Sequence, residues 1–508
     1  MMGAIWLDLP TRLASSISPM SDGSSQPSGT AKTFSYALGT GLNVGFICTG
    51  WHPDAGGVPS LTRDLARGLG RLGHRVYVLC LDTSGERVPF TEVDSEEEGD
   101  ITIRRVAYAY HDHAKLIDLM EHGKLRDVVL GWMAETPCDV IHVHHLTGFG
   151  GAILRAVHDV GQPLVMTLHD YWMLDPLGQM YGLDGQPADR PELEAWTERI
   201  RHIWPHLLPS GQGEAEGDAV DEADRQAVQA YLDLSLSLLE LPEPLLTPSN
   251  AAAEVFARAG VPRERLRVVP NAVAASDLAA ETEAERSKLG ERGPGVHLGV
   301  LGTVLPSKGA LELAQMVVEF AIPGLVLDVH GEQPSYHGDS SYLDALQALA
   351  EAHECIVLHG AYTRAELPRI LAGLDGVAAP SRWEEVYGLT VREARAAGLP
   401  LLVTDQGDLP AVTDGGRAGW VCGRDESAAW AAALREFCDP DARAAKSGRA
   451  AGLPDLDTLS ADHERAYIDA IQHTTGQPPD YLARRAAAER PPEEKPKKKK
   501  GLMRFFGK

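Results

Sequence analysis

PSRWEEVYGLTVREARAAGLPLLVTD, residues 380–405, sets two carboxylates, Glu385 and Glu393, about a loop that turns into a helix. Tyr387-Gly388 supplies a point without a side chain where backbone can approach a ligand, and the run from Leu389 to Gly398 is rich in helix formers. The helix therefore begins beside Glu385, and its unpaired N–H groups and positive dipole end suit a diphosphate. Glu393 falls about one turn inside it, so the two acids can hold different parts of one ligand. Ionised carboxylates only accept hydrogen bonds, which makes the vicinal hydroxyls of a ribose or hexose their natural partners.

The stretch resembles the signature of retaining family 4 glycosyltransferases, whose Glu-x7-Glu motif is matched by Glu385 and Glu393. Pro380-Ser381 before it, Gly388 inside it, Ala397-Gly398-Leu399-Pro400 after it and the strand-like 401–404 also fall where the family has them. The resemblance implies an α/β protein of GT-B fold, two Rossmann-like domains facing each other across a cleft. It spans residues 43–473.

A chain of 508 residues exceeds what one core usually supports, which fits two domains and tails. The expected division is a disordered leader (1–41), a first, acceptor-side domain (42–273) with an insertion at about 173–243, and a linker (274–295). A donor-binding second domain (296–453), a helix crossing back to the first (454–475) and a disordered basic tail (476–508) follow. No apolar run approaches the ~18 residues of a membrane helix, and the N-terminus lacks the basic lead of a secretory signal. Six scattered cysteines without a C-x-x-C pair read as reduced core thiols of a cytoplasmic protein.

The formal charge of −25 argues against nucleic acid as a partner. From Lys495 the chain holds seven basic residues and no acid, with Leu502, Met503, Phe505 and Phe506 among them. Such an end fits the inner face of an anionic membrane, at about 1 kcal/mol per basic residue, or else a solvated tail. Peripheral membrane contact is the partner expectation attached to it.

Residues 43–48 read as a strand, the loop to Gly56-Gly57 follows, and Val58, Leu61, Leu65, Leu69 and Leu72 give one apolar helical stripe before the strand 75–80. The unit should be a right-handed β-α-β crossover with its loop at the carboxyl end of the sheet. In the resembled family a glycine-rich loop here approaches donor phosphates or acceptor, which makes Gly56 and Gly57 site candidates. Further strands are expected at 101–106, 139–144 and 164–168, then His169-Asp170-Tyr171-Trp172. The resemblance gives His169 a hydrogen bond to the donor sugar.

His142, His144, His145 and His169 invite a metal, since imidazoles one residue apart on a strand share a face, but no third-ligand pattern supports a closed site. Asp-x-Asp occurs at 439–441 and 455–457 without a preceding strand in a plausible site. The expectation is no metal and no cofactor. The insertion, with helices expected at 191–208 and 223–239 around an acidic break at 210–221, shapes the acceptor side.

In the second domain the strand 296–302 leads to Lys308-Gly309, and Lys308 is placed on the donor diphosphate, where charge grows on the leaving group. Two departures from the family pattern stand out: Thr303 replaces an arginine after Gly302, with Arg382 as the candidate substitute, and 406–411 carries Asp408 and Ala411 in place of the usual Gly-Gly-x-Pro-Glu. The remaining donor-site candidates are Tyr387, Gly388 and Leu389.

What the resemblance implies is a metal-independent, retaining, hexosyl-type glycosyltransferase. It would move a sugar from a nucleotide diphosphate to a glycan or lipid-linked acceptor, in bacterial surface polysaccharide or glycoconjugate synthesis. Glu385, His169 and Lys308 are its catalytic set. A nucleotide-sugar epimerase of the same architecture and a non-catalytic scaffold remain open alternatives.

Overall fold

A computed structural model describes residues 41–51, 56–82, 88–108, 113–182, 185–188, 192–213, 219–290, 295–448 and 452–483. The expected leader and the basic end of the tail, residues 1–40 and 484–508, lie outside the described residues.

Two sheets organise the chain. The first is built from β1 (Asn43–Cys48), β2 (Arg75–Asp82), β3 (Glu92–Glu98), β4 (Ile101–Ala107), β5 (Val140–Val143), β6 (Leu164–Thr167), β7 (Leu245–Thr247) and β8 (Leu266–Val268), in the order 3-4-2-1-5-6-7-8. All its pairings are parallel except that of β3 with β4. The second is parallel throughout and contains β9 (Val296–Leu301), β10 (Leu325–His330), β11 (Ile356–Gly360), β12 (Gly376–Ala379), β13 (Leu401–Thr404) and β14 (Gly419–Cys422), in the order 11-10-9-12-13-14. Short, apolar central strands such as VIHV and LVMT, buried at every position, are what a sheet covered by helices on both faces requires. In each sheet the chain reverses direction of strand order beside its first strand, so the loops after β1 and β9 open at the switch point where such folds bind ligands.

β3 has no counterpart in the sequence reading. Its EVDSEEE run lacks any apolar alternation, and it holds an edge position through ion pairs, Glu96 to Arg105 at 3.0 Å and Glu98 to Arg63 at 3.1 Å. A charged edge also discourages pairing with another chain.

The span 274–295, expected to be a bare linker, carries the helix Ala275–Arg286. Leu278 is buried with Leu371, Val391 and Leu399, so this helix sits on the second domain. The helix Leu456–Thr475 packs against the first sheet and the first helix, Gly57–Arg71, with Tyr467 and Ala470 buried beside Val44 and Leu65. Gly68 lets the two helices approach closely there: a Cβ would lie 2.0 Å from Ser460 Oγ, which donates to Leu456 O at 2.6 Å. Tyr481, placed in the tail by the sequence, is 2% exposed and donates to Glu464 at 2.9 Å, so the ordered part extends past 476.

The insertion is helical at Leu193–Ile203, Pro209–Gln212 and Ala219–Leu238, the second and third reaching into the expected acidic break. It is fastened by a buried ion pair between Arg199 and Asp175, the latter also accepting from the backbone N–H groups of Leu177, Gln179 and Met180. Among the described residues no helix is long and apolar enough to cross a membrane.

Candidate active site

β12 ends at Ala379 and the chain enters the loop that carries Glu385, which is 9% exposed. Its carboxylate accepts from Lys308 Nζ at 3.0 Å to Oε1 and 2.9 Å to Oε2, from Ser381 Oγ at 2.9 Å and from Trp383 Nε1 at 2.8 Å. Lys308 ends the turn Pro306–Lys308, and its ammonium also lies 4.7 Å from the centre of the Trp383 ring. An ammonium needs a partner when half-buried, and here a carboxylate and an aromatic face hold it in one place.

Gly309 makes that approach possible. It has φ 74°, and a Cβ would lie 2.0 Å from the Pro380 carbonyl oxygen. Gly309→Ala is therefore expected to separate Lys308 from Glu385. The left-handed backbone alone costs ~1 kcal/mol, and the collision adds to it. The measurement is kcat/KM beside the thermal midpoint: a loss of activity well beyond what the stability change explains is expected, and unaltered kcat/KM would remove the role given to this turn.

Gly407 serves the far side of the loop. At φ 56° its Cβ would stand 2.2 Å from Glu385 O, and the next N–H, of Asp408, donates to that oxygen at 2.8 Å. Asp408 pairs with Arg392, which lies over the Tyr387 ring with its guanidinium carbon 3.5 Å from the centre. The departure at Asp408 thus has a partner within the motif helix Leu389–Ala396.

The loop is docked onto the first domain. Ser249 Oγ donates to Val386 O at 2.6 Å, and Tyr387 donates its hydroxyl proton to Asn271 O. Trp383 and Val386 are buried in the first domain's cluster, and Trp383 meets Tyr171 edge-on at 5.9 Å. Burying two such side chains contributes about 2 kcal/mol each. The Tyr171 hydroxyl is buried without a hydrogen-bond partner among the described residues, and burial followed by the nearby Glu384 and Glu385 pushes it well above the ordinary tyrosine range.

Glu393 is placed apart from that pair. Its Oε1 accepts from Arg364 Nη1 at 2.6 Å, and Arg364 Nη2 lies 4.0 Å from Asp64 on the first helix. Burial pushes the Glu393 carboxyl up even though Arg364 pulls it down. The sequence reading of two acids and one ammonium around one point is thus divided: Lys308 and Glu385 meet, while Glu393 has its own cation.

Arg382, expected to replace a missing phosphate contact, is committed elsewhere, to Asp425 at 3.1 Å and Glu312 at 3.7 Å. His169 lies at the end of β6 with Nε2 hydrogen-bonded to His144 Nδ1 at 3.2 Å, and burial, then the neighbouring His145, brings it down to about 3. It is a neutral imidazole. No contact joins it to Lys308 or Glu385 among the described residues.

Gly57 and Gly302 border the motif helix; Gly56 caps the first helix at φ 123°, and the Thr303 N–H faces Gly331. A Cβ on Gly57 would be 4.0 Å from Leu389, and one on Gly302, at φ 113°, 3.9 Å from Thr390. Gly388 caps the helix at φ 67°. The two Asp-x-Asp motifs are helix caps: Asp439 accepts from Asp441 and Ala442 N–H, and Asp455 from Thr458 N–H. Trp383, Tyr171 and Arg364 were not singled out from sequence. Trp383, inside the 380–405 motif, and Tyr171, two residues after His169, each stood in a quoted stretch that could have found them; Arg364 did not.

Residues 56–272 match the family described as a glycosyl transferase 4-like domain, and residues 295–439 match glycosyl transferases group 1. Among curated relatives, the D-inositol 3-phosphate glycosyltransferase of Pseudarthrobacter chlorophenolicus is 26% identical over 415 residues, 79% of this chain and 86% of the relative. That of Corynebacterium jeikeium is 28% identical over 407 residues, 77% and 86% of the two chains. Among solved structures, an α,α-trehalose-phosphate synthase from Burkholderia xenovorans superposes with a TM-score of 0.59 at 13% identity, over 84% of this chain and 100% of its own. A sucrose-phosphate synthase from Thermosynechococcus elongatus does so with 0.58 at 16%, over 88% and 99%. At such identities the superpositions speak for the fold, and they give it as GT-B. With each half matched by its own domain type, the chain belongs to the group 1 glycosyltransferases of family 4.

Proposed function

We propose that the protein is a retaining, metal-independent hexosyltransferase that takes its sugar from a nucleotide diphosphate and passes it to a glycan or lipid-linked acceptor lying on the first domain. The Lys308–Glu385 pair carries this reading. Lys308 stands at the start of a helix on a turn after β9, where it neutralises the diphosphate as the glycosidic bond breaks. Glu385 holds that ammonium and turns toward the sugar hydroxyls. The departing phosphate takes the acceptor proton on the same face, since no other nucleophile is called for.

Glu393 binds the ribose through Oε2, Arg364 engaging only Oε1 among the described residues. The unpartnered Tyr171 hydroxyl and the neutral His169 supply hydrogen bonds from the first domain. Closure of the two domains through Ser249 and Asn271 excludes water and limits hydrolysis of the donor. The basic C-terminal end would keep the enzyme at a membrane surface carrying its acceptor.

Thermal unfolding with UDP-, GDP- and ADP-sugars identifies the donor. A donor at one hundred times its Kd should stabilise by about 2.7 kcal/mol, whereas a panel without any shift would count against the reading. Curated relatives are named for transfer to an inositol phosphate, so D-inositol 3-phosphate belongs in the acceptor panel. Turnover of the donor with no acceptor present would instead favour an epimerase.

A further inference from the structure

On the face of the second sheet that carries residues 367–373, three adjacent strands bring titratable side chains together: His297 from β9, Asp328 and His330 from β10, and His359 from β11. They line a cavity of about 420 Å³ whose other wall is the helix Leu367–Gly373. We propose that Asp328, His330 and His359 bind one divalent transition-metal ion of the zinc class, with His297 fixing the carboxylate from behind.

One ligand atom from each of the three lies within 4.8 Å of the others. Bonds of ~2.1 Å to a tetrahedral ion put ligand atoms ~3.4 Å apart, so modest side-chain rotation completes the site. Asp328 offers Oδ1, now 2.8 Å from His359 Nε2, while its Oδ2 is hydrogen-bonded to His297 Nδ1 at 2.7 Å. An outer partner that fixes a ligating carboxylate in this way is characteristic of metal centres.

The rings of His330 and His359 stack at 4.0 Å and 4°. Two imidazolium ions would repel at that distance. The ring nitrogens of His330 have no hydrogen bond among the described residues, although Asp328 stands on the same strand. Two imidazoles and one carboxylate leave further positions of the ion open, and the cavity has space for a water or small anion there.

The purified, tag-free full chain is stripped with EDTA and titrated with Zn²⁺ by calorimetry and with Co²⁺ by visible absorption. One saturable site per chain is expected. His330→Gln and His359→Gln should each weaken it by at least about 100-fold, and His297→Ala by about 10-fold. Unfolding midpoints in EDTA matching the parent would show that these variants still fold. A folded chain that binds neither ion, or binding undiminished in the double variant His330→Gln/His359→Gln, would overturn the proposal.

Discussion

Glu385→Gln is expected to lower kcat/KM by about three orders of magnitude with donor affinity changed only a few-fold. The amide keeps the volume and an oxygen for Ser381 and Trp383, both of which donate to the carboxylate. What it removes is the charge that holds Lys308 within 2.9 and 3.0 Å. The ammonium is then held chiefly by the Trp383 face, and its position over the departing diphosphate broadens. Lys308→Ala should cost 10²–10³ in kcat by roughly the same argument, since one preorganised charge is worth about 3–4 kcal/mol in such a setting. Lys308→Arg is not expected to restore activity, because the longer, planar guanidinium moves the charge from the point where the ammonium sits between both Glu385 oxygens and the Trp383 face. The pair acts as a unit, so the double variant should be about as slow as the slower single one. Losses that multiply, or a Glu385→Ala variant that still supports product formation in cells, would defeat the assignment, the second outcome favouring a scaffold.

The two sheets were legible because their strands are short apolar runs separated by amphipathic stripes, as in 43–48 followed by Val58, Leu61 and Leu65. β3 was not, since seven mostly acidic residues give no apolar period and owe their extended form to arginines elsewhere in the first domain. The helix Ala275–Arg286 escaped for the opposite reason: its few apolar residues form no clear stripe, and burial of Leu278 against the second domain holds it. At the candidate site, the sequence named Glu385 and Lys308, which the fold brings into contact although 77 residues separate them. It could not find Arg364 beside Glu393, or the commitment of Arg382 to Asp425, because both depend on side-chain direction between elements of the second domain that lie far apart in sequence. The cluster of Asp328, His330 and His359 stayed hidden because its members sit on neighbouring strands and only His330 lies near Asp328 in sequence.

Acid is expected to unfold the first domain steeply between pH 6.5 and 4. His142, His144 and His463 are buried between β5 and the helix Leu456–Thr475, with His169 beside them and partly open to the cleft. Burial, followed by the neighbouring imidazoles, holds His142 and His144 well below the usual histidine range; burial also brings His463 to about 4 and His169 to about 3. His144 is the worst placed to take a charge, since its Nε2 is buried without a partner and its ring centre lies 3.8 Å from that of His142. Because these folded-state values lie below the unfolded one near 6.5, the unfolded chain binds the protons first. Stability is therefore complete above pH 7 and falls as the pH drops through 6.5 toward 4, by about 1.4 kcal/mol per pH unit for each histidine. The three deeply buried ones together give a limiting slope of about 4 kcal/mol per unit.

His145 has the opposite sign. Burial works against its charge, but Asp170 at 2.7 Å raises it, so its contribution is complete below pH 6.5 and is lost as pH rises above that, leaving the slope between pH 6.5 and 4 to the other histidines. Urea unfolding at pH 7.5, 6.5 and 5.5 measures the balance, and His463→Leu should remove about a third of the slope while retaining the helix. His142 is hydrogen-bonded to Tyr467 at 2.8 Å, so protonation there strains the junction by which the C-terminal helix is tied to the first sheet. Midpoints that do not move across this range would mean that the cluster is hydrated and titrates as free histidine does.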